Sequence, residues 1–105
     1  MTLSELSLVR RAAQLLKTIG HPLRFAIVRA LSDRSLTVTD LIDVTDAPQP
    51  TVSQQLAVLR KHGVVRCESE GTTRRYSLAV PVALLIDCAT EGARRIAQKR
   101  NGSGC

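Results

Sequence analysis

VTDLIDVTDAPQPTVSQQLAVLRKHGVV, residues 38–65, decides the fold. It opens with an amphipathic segment carrying Leu41, Ile42 and Val44, which stops at the Asp46-Ala47-Pro48 turn. A second helix is expected to start at Pro50, which suits a first helical position because its missing N–H has no intrahelical role there. That helix buries Val52, Leu56 and Leu59, the i, i+4, i+7 spacing of a single stripe. Thr51, Ser53, Gln54 and Gln55 fall on its other faces, where hydroxyl and amide side chains can hydrogen-bond base edges. Gly63 closes the helix as a left-handed cap. Beyond it, VVRCESEGTTRRYSL (residues 64–78) contains two β-prone runs, Val64 to Ser69 and Thr73 to Leu78. They flank Glu70-Gly71-Thr72-Thr73, where glycine supplies the backbone angles of a tight hairpin. A helix-turn-helix over 38–62 followed by a charged hairpin over 64–78 reads as a winged helix-turn-helix, a DNA-binding architecture.

Helices flank this unit on both sides. From Leu3 to Ile19 apolar residues recur at Leu6, Val9, Ala13, Leu16 and Ile19, a helical period. Gly20-His21-Pro22 breaks it, and LRFAIVRAL follows as a short helix with Leu23, Ile27, Ala30 and Leu31 on its buried face. A loop over Asp33 to Leu36, with a brief extended piece near Leu36, leads to Thr37 or Thr39 as the next cap, Thr37 being favoured. Helix resumes at Ala79 and is expected over 80–98, with Pro81 in its first turn. Its apolar stripe is Val82, Leu85, Ile86, Ala89, Ala93 and Ile96, and residues 101–105 read as a frayed tail. Gly92 weakens it by roughly 1 kcal/mol relative to alanine, which points to close packing against a partner. The terminal helices (3–19 and 80–98) have too little of the small unit between them to pack on, so a symmetric dimer is expected to bury them. Burial of ~600 to 800 Å² of apolar area per subunit is worth on the order of 15 to 20 kcal/mol before entropic costs. Completion of a monomer core is the alternative.

The 105 residues, 44% hydrophobic, amount to one domain, mainly α with a small β-hairpin, and leave little room for an enzyme cleft. Phe25 and Tyr76 are the only aromatic residues, which argues against single-strand binding on stacking platforms and against RNA. Fifteen Lys and Arg against nine Asp and Glu give a net charge of +6. The excess concentrates at Arg60, Lys61, Arg66, Arg74 and Arg75, around the end of the second helix and the hairpin, as a polyanionic partner requires. Asp40, Asp43 and Asp46 are expected to point away from phosphates. With ~3 to 4 phosphate contacts per subunit, log affinity falls with log salt at a slope of roughly −5 to −7. No basic-then-apolar leader and no run of membrane-spanning length is visible, so a cytoplasmic protein is expected. Three cysteines do not make a disulfide framework in a reducing compartment. No paired carboxylates, Cys-His pair, phosphate loop or metal quartet emerges, so the chain does not read as an enzyme.

HPLRFAIVRAL (21–31), TVSQQLAVLRKHGVV (51–65) and EGTTRRYSL (70–78) together resemble the ArsR/SmtB family of bacterial winged-helix repressors. The resemblance covers about residues 8 to 98, and its most specific part is TVSQQLAVLRKHGVV joined to a wing ending in Tyr76-Ser77-Leu78. It implies four helices, a β-hairpin and a fifth helix, with terminal helices forming a homodimer, and repression of a double-stranded operator until a metal, metalloid or oxidant binds. It also implies that Gln49, Thr51, Ser53, Gln54 and Gln55 meet the major groove, while the wing arginines reach backbone or minor groove. Gln can pair bidentately with adenine, and Arg60, Lys61, Arg74 and Arg75 can position the protein on phosphates. Gln54 and Ser53 are the first candidates for base contact, and Gln55 reads alternatively as a half-buried surface residue. The implied operator is an imperfect palindrome with half-sites ~10 bp apart or a small multiple of that.

The inducer is less legible. The segment VTDLID (38–43) lacks the cysteine cluster that the resemblance implies for metalloid sensing, and neither His21 nor His62 lies on the last helix, where zinc sensing needs them. Both histidines read as local hydrogen-bonding or helix-end residues. Asp87 and Glu91, four apart, could contribute oxygen ligands. Cys88 reads either as a small residue of the dimer contact or as a sensor thiol, pairing with its symmetry mate, with Cys105 or with a soft ion. Cys67 reads as a surface residue of the wing. The metal and cofactor are therefore unknown at this point. A constitutive regulator without inducer and a protein-interaction module that keeps the fold without binding DNA remain the rival readings.

Overall fold

Local capping chemistry sets most of the element boundaries in the structure, a computed structural model that describes residues 1–102. In chain order the elements are α1 (Leu3–Ile19), α2 (Pro22–Ala30), β1 (Leu36–Thr37), α3 (Val38–Thr45), α4 (Gln49–Lys61), β2 (Val65–Glu70), β3 (Thr73–Leu78) and α5 (Ala83–Gly102). The winged helix-turn-helix is as expected, with one strand more than the hairpin. The short β1 pairs antiparallel with β3 and makes a sheet of order β1-β3-β2.

Thr2 and Glu5 start α1 with a reciprocal pair of hydrogen bonds. His21 caps α2, its Nδ1 accepting from the amides of Leu23 and Arg24 at 3.2 and 3.4 Å. At α3 the cap is Thr37, whose hydroxyl accepts from the Asp40 amide at 3.1 Å while the Asp40 carboxylate accepts from the Thr37 amide at 3.0 Å. Asp46, left-handed at φ 54, ends α3. α4 begins one residue earlier than the prolines alone indicate: Pro48 is the cap, Gln49 the first helical residue and Pro50 the second. It ends with Gly63 at φ +76, the Gly63 amide donating to the Arg60 carbonyl and the Val64 amide to the Leu59 carbonyl at 3.0 and 2.9 Å. That bond assigns Val64 to the cap, so β2 runs from Val65 to Glu70 rather than from Val64 to Ser69. Glu70 pairs with Thr73 across a two-residue loop whose first residue, Gly71, sits at φ +64.

The last helix departs most from expectation, starting at Ala83 rather than Ala79. Pro81 disfavours helical backbone at Val80, and the Ala79 amide is already committed to the Val64 carbonyl at 2.9 Å. Pro81 therefore precedes the helix, and the Ile86 amide donates to Val82 in its opening turn. At the other end helix continues through Asn101 and Gly102 instead of fraying there; residues 103–105 lie outside the described residues.

Val52, Leu56 and Leu59 of α4 are buried as their spacing predicts, in one core cluster with Ile27, Leu41 and Ile86. α2 packs against α1, α3, α4 and α5. Its deepest residues are Ile27 and Val28, with Leu31 at its C-terminal cap buried too, whereas Leu23 and Ala30 are half-buried. Val44, grouped with the apolar face of α3 by sequence, is 54% exposed.

The terminal helices are half-used. Of the α1 stripe only Ile19 enters the core, while Leu6, Val9 and Leu16 stay exposed; on α5, Val82 just before the helix and Ile86 are buried and Leu85 and Ile96 are not. Nothing lies within 4 Å of where a Gly92 side chain would begin. The protein exposes 7501 Å² of surface, where a compact monomer of 11.4 kDa exposes about 5,800 Å². Its radius of gyration is 16.0 Å against about 13 Å for a compact chain of this length.

Candidate nucleic-acid interface

Alternation along the wing divides its charges between two faces. The register pairs Cys67 with Tyr76, Glu68 with Arg75 and Ser69 with Arg74. Arg74 therefore shares a face with Tyr76, which is 9% exposed and belongs to the core side. Arg75 lies on the opposite face with Arg66, Glu68 and Glu70, and its Nε donates to Glu70 Oε2 at 3.2 Å. The Arg66 Nε on that face donates to the Ser77 hydroxyl at 3.2 Å. The two neighbouring wing arginines, grouped together by sequence, are thus not equivalent.

Arg74 borders a groove of about 690 Å³ between the wing and α4, lined also by Ser53, Ala57, Arg60, Lys61 and Tyr76. Among the described residues no ion pair involves Arg60, Lys61 or Arg74. Three cations without an ion-pair partner thus stand around one groove, an arrangement that suits phosphate oxygens. Burial pushes the Tyr76 hydroxyl above its usual range, helped by the adjacent Cys67 thiol.

Gln49, Ser53 and Gln54 of α4 are exposed, whereas Thr51 and Gln55 are half-buried. At 100° per residue Gln54 points nearly opposite the Val52, Leu56, Leu59 stripe, with Ser53 turned toward the wing and Gln55 toward α2. Gln55 is occupied: its Oε1 accepts from Arg24 Nη1 at 3.0 Å. Sequence reasoning missed Arg24, although its place three residues after the capping His21 aims it back across α1 and α4. Asp40 is committed as well. The hydrogen bond donated by the Thr37 amide, and after it the neighbouring Thr37 side chain, hold its carboxyl below the usual carboxylate range.

A family model described as bacterial regulatory protein, arsR family, matches residues 21–66. An uncharacterised HTH-type transcriptional regulator of Methanocaldococcus jannaschii is 39% identical over 67 residues, 63% of this chain and 75% of that one. The crystal structure of Rv0081 from Mycobacterium tuberculosis superposes with a TM-score of 0.74 at 35% identity, covering 90% of this chain and 97% of the other. The chain belongs to the ArsR family. The crystal structure of the transcriptional repressor BigR from Xylella fastidiosa is similar too, at 33% identity and a TM-score of 0.74, over 84% of this chain and 92% of that one. Against the curated repressor SmtB of Mycobacterium tuberculosis, 41% identical over 68 residues, the match spans 65% of this chain and half the length of that protein. This ArsR-family chain is a winged-helix transcription regulator and not an enzyme.

The side chains weighed for sensing are dispersed in it. Among the described residues no three His, Cys, Asp or Glu side chains gather as a metal site requires. His21 spends Nδ1 on the α2 cap, and Glu91 is held by Arg94 and Arg95 at 3.4 and 3.2 Å. Cys67 is half-buried and packs against the core, which corrects its reading as a surface residue. Cys88 is exposed on α5 in the protomer, beside Asp87, Gly92 and Arg95. Cys105 lies outside the described residues. No helix among the described residues is long and apolar enough to cross a membrane.

Proposed function

We propose that the chain is a cytoplasmic repressor that reads double-stranded DNA as a homodimer, with Ser53 and Gln54 meeting base edges and Arg60, Lys61 and Arg74 holding phosphates. The observation that carries this reading is the groove between α4 and β3, where those three cations stand unpaired beside the exposed polar face of α4. In this reading Gln49 and Thr51, in the first turn of α4, contact the flanking backbone or the first bases. Arg75, engaged by Glu70 on the far face of the wing, is left out of the phosphate set.

Dimerisation through α1 and α5 is supported by their exposed apolar residues and by about 1,700 Å² of surface in excess of a compact monomer. The two α4 helices then enter successive major grooves of an imperfect palindrome. Release by an oxidant or thiophilic ion would act through Cys88, the exposed one of the two described cysteines, because α5 is the helix on which the dimer depends. The test of the DNA reading is selection from random duplexes followed by footprinting. The expected result is two symmetric protected half-sites ~10 bp apart or a small multiple of that. Absence of any enriched sequence, with single-stranded nucleic acid bound equally well, would refute it.

A further inference from the structure

Arg24 joins the helix proposed for dimerisation to the helix proposed for base reading. From the first turn of α2 its Nε donates to the Thr18 carbonyl at 2.6 Å, in the last turn of α1, and its Nη1 donates to Gln55 Oε1 at 3.0 Å on α4. Both ends are anchored. Thr18 is 3% exposed, and its hydroxyl donates to the Gln14 carbonyl at 2.9 Å. Gln55 immediately precedes Leu56, which is 1% exposed in the core. The His21 cap fixes the backbone from which Arg24 projects, since its Nδ1 accepts from the Arg24 amide.

A guanidinium carries only donors, so the Gln55 atom facing it is the carbonyl oxygen. Bidentate pairing with adenine needs the Gln55 amide turned toward the DNA, whereas the bond from Arg24 takes one of the oxygen's two lone pairs and holds the amide toward α2. What remains at this place is a charged, two-armed hydrogen bond across three helices, stronger than a neutral contact and directional at both ends. A lysine has one nitrogen and cannot offer the same planar fork to two acceptors.

We propose that Arg24 is a positioning residue: with Thr18 and Gln55 it fixes the angle between α1 and α4, and so sets the separation of the two recognition helices in the dimer. The proposal rests on the dimeric DNA reading given above. It explains how a reading helix on one side of the protomer keeps register with a dimer contact on another.

The test combines Arg24→Met, Gln55→Met and the double substitution, measured on a selected operator, on the same operator with one base pair inserted between half-sites, and on random duplex. Insertion moves one half-site by about 3.4 Å and 34°. Each single substitution is expected to weaken operator binding about tenfold, the double no further, with random-duplex affinity unchanged. Discrimination against the inserted operator is expected to narrow in all three, and Arg24→Lys to recover only part of it. Additive losses would overturn the proposal by making Gln55 an independent contact. Equal loss on random duplex would make Arg24 a plain phosphate ligand, and unchanged operator binding would leave the hydrogen bonds without a positioning role. Gln55→Met, which retains the Thr18 arm, carries the test if Arg24→Met does not fold. In the free protein a slowly exchanging Arg24 Nε–H signal by NMR is expected, and a rapidly exchanging one would overturn the strut itself. Should that signal be present while the unaltered protein prefers no duplex, the DNA reading fails and the positioning role with it, while the strut stands.

Discussion

Removing Arg74 should make operator binding less sensitive to salt, and removing Arg75 should leave that sensitivity nearly unchanged. Arg74 faces the groove shared with Arg60 and Lys61 and has no carboxylate partner among the described residues. Arg75 points to the other side of the wing and is held by Glu70 at 3.2 Å. Three phosphate contacts per protomer give six per dimer and a slope of log affinity against log salt of roughly −5.4 at 0.9 per contact. Arg74→Ala removes two contacts, which brings the slope to about −3.6. Between 50 and 200 mM salt the unaltered protein then loses affinity by roughly 1,800-fold and the Arg74→Ala variant by about 150-fold. Fluorescence anisotropy of a labelled operator across that salt range measures both slopes. Arg75→Ala should keep a slope within about half a unit of the parent, because it removes no phosphate contact. Equal flattening by both substitutions would refute the division of the wing into two faces. No flattening by Arg74→Ala would refute the groove as a phosphate clamp.

Three further outcomes follow from the same geometry. Val9→Glu places a charge in the exposed apolar stripe of α1 and should raise the dimer dissociation constant at least about a hundredfold by sedimentation, with operator affinity falling in parallel; an unchanged dimer would remove α1 from the interface. Asp40 has a folded-state pKa below its ordinary value, so its contribution to stability is present above the unfolded pKa and is lost as pH falls through the folded one. Asp40→Ala should therefore lower the urea midpoint at pH 7, with the gap closing below about pH 4, and a gap that persists in acid would contradict the capping account. Operator release by a mild oxidant should weaken binding ~5- to 150-fold, vanish in Cys88→Ser and survive in Cys67→Ser; persistence in Cys88→Ser would exclude that thiol as the route.

The recognition helix was legible because its stripe is short and its boundaries are set locally. Val52, Leu56 and Leu59 are buried, and Gly63 takes the left-handed turn expected of it. The start of α5 was not legible, because the Val80–Pro81–Val82 segment is apolar enough to continue a helical pattern. A tertiary hydrogen bond from Ala79 to Val64, together with the proline, forbids it. The difference between Arg74 and Arg75 escapes the sequence for a similar reason: net charge along a strand says nothing about faces until the register is known. Gln55 reads from sequence either as a base reader or as a half-buried residue, and its hydrogen bond from Arg24, 31 positions away, is not visible to periodicity. The exposed apolar residues of α1 and α5 were visible in the sequence as periodicity, although Ile19 alone of the α1 stripe enters the protomer core.

The central claim is that α4 reads sequence through Ser53 and Gln54 while the groove cations hold the backbone. The most direct measurement is the ratio of affinities for a selected operator and for a scrambled duplex at fixed salt, in the parent, in Ser53→Ala and in Gln54→Ala. Each substitution should lower the ratio about 5- to 150-fold through the operator alone, leaving scrambled-duplex affinity unchanged. A ratio that stays at its parent value in both variants would contradict the account.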